Sequence, residues 1–319
     1  MGLSAFFYKK LLVHRYDGEP NIRYFTAEDF PGLLADPVEF DSDGELLRGF
    51  FYSYPGCRED VLLIFCHGIG GGHRSYLTEI DTLAKAGFRV LSYDNTGCFA
   101  SEGKDIRSMS GSLRDLDNAI RFLKRKGIFQ RYENVYVLGH SWGGFAAGCI
   151  PQYQEEIRKT VVMSGFLSVE SLLTNGIMGM KIPFKKAILK GMLSFDAKAD
   201  PAHKDASILK AMEKGGCRYF VAHSEDDGVV PYKQNTAILQ ERFPEAEYLI
   251  LNGKKHNPNY AQDAVEYMNK TFGEFARLVK EKKLKTKEEK AAYYADTDWR
   301  RMTAQDPAFW EKVIAFLND

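Results

Sequence analysis

The chain has 319 residues, 45% of them apolar, with 43 basic and 43 acidic side chains. That length buries a large core and suits one α/β domain carrying insertions. The balanced charge gives no electrostatic case for a nucleic-acid partner, and five scattered cysteines without a Cys-x-x-Cys pair point to reduced thiols in a cytoplasmic protein.

Residues 1–35 read as an extension ahead of the core. Phe6, Phe7, Leu11 and Leu12 are broken up by Lys9, Lys10, His14 and Arg15, so the apolar run is too short for a signal-peptide core. An amphipathic helix packed on the body is expected. No stretch reaches the length of a membrane span, and no stable membrane insertion is expected.

Val38–Asp41 and Leu46–Tyr54 flank Asp43-Gly44, the signature of a β-hairpin. Val61–Cys66 is an unbroken apolar run, as a strand covered on both faces requires. It ends in His67-Gly68-Ile69, and a helix with Ile80, Leu83 and Ala84 on one face follows. Phe88–Tyr93 is a second buried strand, ending at Asp94. Leu113, Leu116, Ile120 and Leu123 then repeat at helical spacing until Gly127 stops them.

Val135–Leu138 runs into Gly139-His140-Ser141-Trp142-Gly143, and small residues follow. Strand, sharp turn and helix with a serine at the tip make a nucleophile elbow, in which tight backbone approach demands the two glycines. Further strands are expected at Thr160–Ser164, Tyr219–Ala222 and Tyr248–Leu251, with a helix between the last two from about Pro231 to Phe243. Buried strands alternating with helices make a mostly parallel sheet with helices on both faces. Ligands of such sheets sit beyond the strands' carboxyl ends, where His67, Ser141, Asp227 and His256 all fall.

Two segments interrupt the alternation. Residues 166–204 are apolar and methionine-rich, and read as a helical lid. Residues 257–305 carry a helical stripe through Ala264, Met268, Phe272 and Phe275, then a charged run. They read as a helical insertion before a last helix, which Asp306-Pro307 would start.

The order strand, His-Gly, helix, strand, Asp, helix, strand, Gly-x-Ser-x-Gly, then an acid and a histidine resembles the α/β-hydrolase fold. It is most similar to lidded serine hydrolases of the esterase, lysophospholipase and serine-aminopeptidase type. The resemblance implies core segments at 36–165, 205–256 and 306–319. It implies Ser141 as nucleophile. Asp227, in Asp227-Gly228-Val229-Val230-Pro231, would be the acid, and His256, behind Gly253-Lys254-Lys255, the base. Asp226 and Glu225 are set aside as structural or solvent-facing. The backbone N–H groups of Ile69 and Trp142 would form the oxyanion hole.

Phe99 stands where the similar proteins place a second glycine, and is expected to shape one pocket wall. Met178, Met180 and Met192 of the lid are expected to line the pocket, since methionine repacks around varied ligands. Neither a dinucleotide nor a phosphate-loop pattern is complete, and no metal-ligand spacing appears. No cofactor and no metal is therefore expected. The expected substrate is a small acyl compound, with esters of neutral apolar acids preferred to peptides. A peptidase of the serine-aminopeptidase type and a non-catalytic binding protein are the alternatives.

Overall fold

The computed structural model describes residues 3–179 and 183–319. Its elements are α1 (Leu3–Leu11), β1 (Leu34–Ser42), β2 (Glu45–Ser53), β3 (Val61–Cys66), α2 (Leu77–Lys85), β4 (Arg89–Tyr93), α3 (Gly111–Arg125), β5 (Asn134–His140), α4 (Trp142–Cys149) and β6 (Lys159–Met163). Next come α5 (Val169–Met178), α6 (Lys185–Ala199), α7 (Ile208–Lys214), β7 (Arg218–Ser224), α8 (Thr236–Arg242), β8 (Glu247–Leu251), α9 (Gln262–Lys280), α10 (Lys287–Tyr294), α11 (Trp299–Met302) and α12 (Pro307–Asn318).

The strands form one sheet in the order β1-β2-β4-β3-β5-β6-β7-β8. β1 and β2 pair antiparallel, as do β2 and β4, and the remaining neighbours are parallel. The β1–β2 turn carries positive φ at Asp43 and Gly44, as its Asp-Gly pair predicts.

β3 is buried at every position. Its residues alternate between two cores, because successive side chains of a strand point to opposite faces. Leu62, Ile64 and Cys66 pack with Leu113, Leu116 and Ile120 of α3 and Phe145 of α4. Val61, Leu63 and Phe65 pack with Leu77, Ile80 and Leu83 of α2 and with α12. Through Phe309, Trp310, Val313, Phe316 and Leu317, α12 returns the end of the chain to the sheet, and the Asp306 carboxylate caps its first turn.

The apolar segment after β6 forms α5 and α6, and the segment after β8 forms α9, α10 and α11. α7 falls where the sequence suggested no helix. Its two turns bury Ile208, Ala211 and Met212, too few positions to show a period. α1 lies against α6, with the Tyr8 ring edge-on to Phe195 and its hydroxyl donating to Asp196. Among the described residues, no helix is long and apolar enough to cross a membrane.

Candidate active site

Ser141 sits between β5 and α4 at φ 56°, ψ −113°. A non-glycine residue in that region is strained, and the surroundings hold it there. Its N–H donates to the Met163 carbonyl at 2.8 Å and its carbonyl accepts from Phe145 N–H at 2.9 Å. The flanking glycines are required by contact. A Cβ on Gly139 would lie 2.1 Å from the Gly143 oxygen, and one on Gly143 would lie 2.0 Å from the Cys66 oxygen.

Asp227 and His256 come from the loops after β7 and β8, and Nδ1 of His256 stands 2.8 Å from Oδ2 of Asp227. The other carboxylate oxygen accepts from Val229 N–H at 2.8 Å and Val230 N–H at 2.9 Å. His223 Nε2 lies 3.2 Å from Oδ2 and also donates to the Val230 carbonyl. Burial alone would raise the Asp227 pKa. The hydrogen bonds from His223 and His256 outweigh it and hold this carboxyl well below the usual range. Asp227 is thus a fixed anion, and the hydrogen bond it accepts from Nδ1–H leaves the lone pair of His256 on Nε2.

Asp226, adjacent in sequence, has a different task. Its Oδ1 accepts from Ser224 Oγ at 2.6 Å and from the N–H groups of Gly253 and Lys255 at 3.1 Å each. It therefore fastens the turn that delivers His256, a positioning role not visible in the sequence.

A second clasp joins the three loops. Gly68 N–H donates to the Tyr76 hydroxyl at 3.0 Å, and that hydroxyl lies 2.9 Å from His140 Nδ1. His140 Nε2 lies 2.7 Å from the His256 carbonyl. A carbonyl only accepts, so Nε2 carries the hydrogen and Nδ1 accepts from Tyr76. Burial, reinforced by His256, pushes the His140 pKa down to about 3, which keeps the ring neutral in this arrangement. The histidine beside the serine thus ties the elbow to the loops carrying Ile69 and His256.

His67 steadies the same edge. Its Nε2 accepts from Asn95 N–H at 2.9 Å, so Nδ1 donates to the Gly68 carbonyl at 2.8 Å. Trp142 is held through its indole N–H, which donates to the Met109 carbonyl at 2.7 Å. Among the described residues, the backbone N–H groups of Ile69 and Trp142 have no partner within the protein. Both residues border the cavity that reaches Ser141.

That cavity has a volume of about 360 Å³. Its walls are almost wholly apolar: Phe166, Leu172, Leu173, Ile177 and Met192 from the segment after β6, Met109 from the loop before α3, and Val229 and Val230 beside Asp227. Leu11 and Leu12 from the first helix and the turn after it complete the wall. Of the four pocket residues expected from sequence, Met192 is present. Met180 and the side chain of Met178 lie outside the described residues.

Phe99 is a correction. At φ 42° its ring packs edge-on to Tyr24, 5.0 Å between centroids, and borders a separate hollow with Phe50, Tyr52 and His73. Gly18 and Gly72 make room for it, since a Cβ on either would meet the ring at 2.8 Å.

A family model described as serine aminopeptidase, S33 matches residues 58–215. The match includes the His67-Gly68-Ile69 loop and the elbow, and ends before Asp227 and His256. The proline iminopeptidase of Saccharolobus solfataricus is 34% identical over 111 residues, which cover 34% of this chain and 34% of that protein. Human Protein ABHD8 is 28% identical over 117 residues, 35% of this chain and 25% of that protein. The chain spans about a third of the length of the curated iminopeptidase relatives it matches.

Among solved structures, an esterase of Pyrococcus furiosus superposes with a TM-score of 0.58 at 17% identity, covering 84% of this chain and 96% of that one. Est1E of Butyrivibrio proteoclasticus, solved with ferulic acid bound, gives 0.56 at 19% identity, covering 75% and 98%. These structural likenesses speak for the fold.

Proposed function

We propose that the chain is a serine hydrolase of the α/β-hydrolase superfamily acting on carboxylic esters of neutral, apolar acids, a reading supported by the matched family model and the shared fold. The observation that carries this reading is an apolar cavity ending at Ser141, beside the Asp227–His256 pair at 2.8 Å.

In this reading Ser141 Oγ attacks the ester carbonyl carbon while Nε2 of His256 takes its proton. The Asp227 carboxylate stabilises the imidazolium that forms. The negative carbonyl oxygen accepts from the N–H groups of Ile69 and Trp142, which have no partner among the described residues. Collapse expels the alcohol, which takes the proton from His256 and leaves an acyl group on Ser141. Water then attacks the acyl carbon, giving its proton to Nε2, and the acid leaves as Oγ is reprotonated.

An aminopeptidase reading draws on the iminopeptidase likeness. It asks for an acidic group to hold a free α-amine, and the cavity lining contains none among the described residues. The five free cysteines fit a reducing compartment, and a cytosolic location belongs to the same proposal.

The test is a panel of acyl esters and aminoacyl amides, assayed with the wild type and Ser141→Ala. Ester turnover and fluorophosphonate labelling that both vanish in Ser141→Ala support the proposal. Amide turnover exceeding ester turnover, or ester activity within tenfold of wild type in the variant, overturns it.

A further inference from the structure

We propose that α1 and the turn after it form part of the acyl-binding wall, so that Leu11 and Leu12 select for medium-length over short acyl chains. This rests on the serine-hydrolase reading of Ser141 and adds a specificity element outside the matched residues 58–215.

Three observations carry it. First, Leu11 and Leu12 border the cavity that ends at Ser141. Leu11 is 47% exposed and Val229 is 63% exposed, and as cavity-lining residues open to solvent they mark its mouth. A chain lying between Ser141 and solvent passes Leu11.

Second, the segment is fastened on both sides of these leucines. On one side the fully buried Tyr8 donates to Asp196 of α6, which also accepts from Met109 N–H at 2.6 Å and Ser110 Oγ at 2.7 Å. On the other side, Tyr16 N–H donates to the Gly97 carbonyl and Phe99 N–H to the Tyr16 carbonyl, each at 2.9 Å. The Arg15 guanidinium donates to the carbonyls of Phe99, Ser101 and Gly103. A wall held at both ends can keep a fixed shape and discriminate by length.

Third, the tie reaches the elbow. Met109 lines the cavity, gives its N–H to Asp196, and accepts the Trp142 indole N–H through its carbonyl at 2.7 Å. The first helix, the lid helix α6 and the elbow therefore meet at one residue.

Each methylene moved from water onto such a wall contributes about fourfold to kcat/KM while the pocket has room. The wall residues lose this contribution when made polar. The experiment uses the full chain and compares wild type, Leu11→Gln, Leu12→Gln, the double variant and a Leu11→Met/Leu12→Met control. kcat/KM is measured for acetyl, butyryl, octanoyl and decanoyl esters of one alcohol, then for acetyl esters of alcohols of matching lengths. Inactivation rates of Ser141 by short- and long-chain alkyl fluorophosphonates report the same wall without turnover.

The double glutamine variant is expected to lower the decanoyl-to-acetyl ratio at least tenfold, and the methionine control to keep it within about threefold of wild type. The long-to-short inactivation ratio should fall in parallel. Equal loss for every acyl length overturns the proposal, as does a ratio unchanged by the glutamines. Length dependence that resides in the alcohol and not the acyl group also overturns it. In those cases Ser141 still reacts and the hydrolase reading stands. A wild type that neither turns over esters nor is labelled at Ser141 overturns both.

Discussion

Asp227→Asn separates the two neighbouring carboxylates by their proton inventories. Oδ1 of Asp227 is committed as an acceptor to the N–H groups of Val229 and Val230, at 2.8 and 2.9 Å. An asparagine must place its carbonyl oxygen there, which turns its NH₂ toward His256 Nδ1, now 2.8 Å from Oδ2. Two donors cannot face each other, so the imidazole takes the tautomer with its hydrogen on Nε2. That nitrogen cannot accept the serine proton, and a loss of about 10⁴ in kcat is expected, or about 5.5 kcal/mol of barrier.

In Asp226→Asn the carbonyl oxygen can keep the bonds from Ser224, Gly253 and Lys255. What disappears is the ion pair with Lys255 Nζ at 3.0 Å, whose side chain is 55% exposed. Such a pair contributes about 0–1 kcal/mol, and a few-fold change at most is expected. Initial rates on a butyryl ester, with thermal melts to confirm folding, measure both. An Asp227→Asn enzyme within a hundredfold of wild type, or equal losses in the two variants, would refute the assignment of the acid.

Three further outcomes are expected. Because a triad works as a unit, Ser141→Ala combined with His256→Ala should be no slower than either single variant; further slowing in the double would show independent contributions. Tyr76→Phe leaves Gly68 N–H and His140 Nδ1 without their partner; a loss of roughly 2 kcal/mol and a kcat lower by about tenfold are expected. An unchanged melting temperature and an unchanged kcat would together dismiss the clasp. His203 stands between Asp200 at 2.9 Å and Asp117 at 3.5 Å, joining the end of α6 to α3. Burial disfavours its charge, but the two carboxylates outweigh burial and raise its pKa to about 9. The raised value means stability that is complete below about pH 6.5 and lost as pH rises through about 9. Melts between pH 6 and 10 should show that decline in the wild type and a flatter profile in His203→Gln; identical slopes would refute it.

The parts of the fold legible in the sequence are those written in local demands. β3, β4 and β5 announce themselves because a strand covered on both faces must be apolar at nearly every position. The elbow does so because a Cβ on Gly139 or Gly143 would lie 2.0–2.1 Å from a neighbouring backbone oxygen, which only glycine avoids. The return of α12 was readable from Asp306-Pro307 and the apolar stripe behind them. The contacts that complete the site have no such signature. Tyr8 meets Asp196 across 188 positions, and His140 reaches the His256 carbonyl across 116. A tyrosine or histidine that satisfies a distant partner leaves no period and no motif. Leu11 and Leu12 likewise read as one side of a surface helix, because their partner is the cavity itself.

Phe99 shows how a correct local reading still fails at longer range. Its position in the loop asks for positive φ, which glycine supplies freely and phenylalanine adopts here at 42°. The departure from the pattern was therefore real, and the backbone answered it without changing course. Where the ring then went was decided by Gly18 and Gly72, remote in sequence, whose missing Cβ atoms leave the space it fills. The same principle orders the candidate site. The backbone sets Ser141, Asp227 and His256 in the loops after β5, β7 and β8, while hydrogen bonds between segments distant in sequence hold those loops together. Asp226 fastens the His256 turn, His140 ties that turn to the elbow, and Met109 links the elbow to α6 and α1. Substitutions at Asp226 and His140, whose side chains make these bonds, should change kcat through geometry rather than chemistry, and conservative replacements that keep the donor or acceptor should restore it.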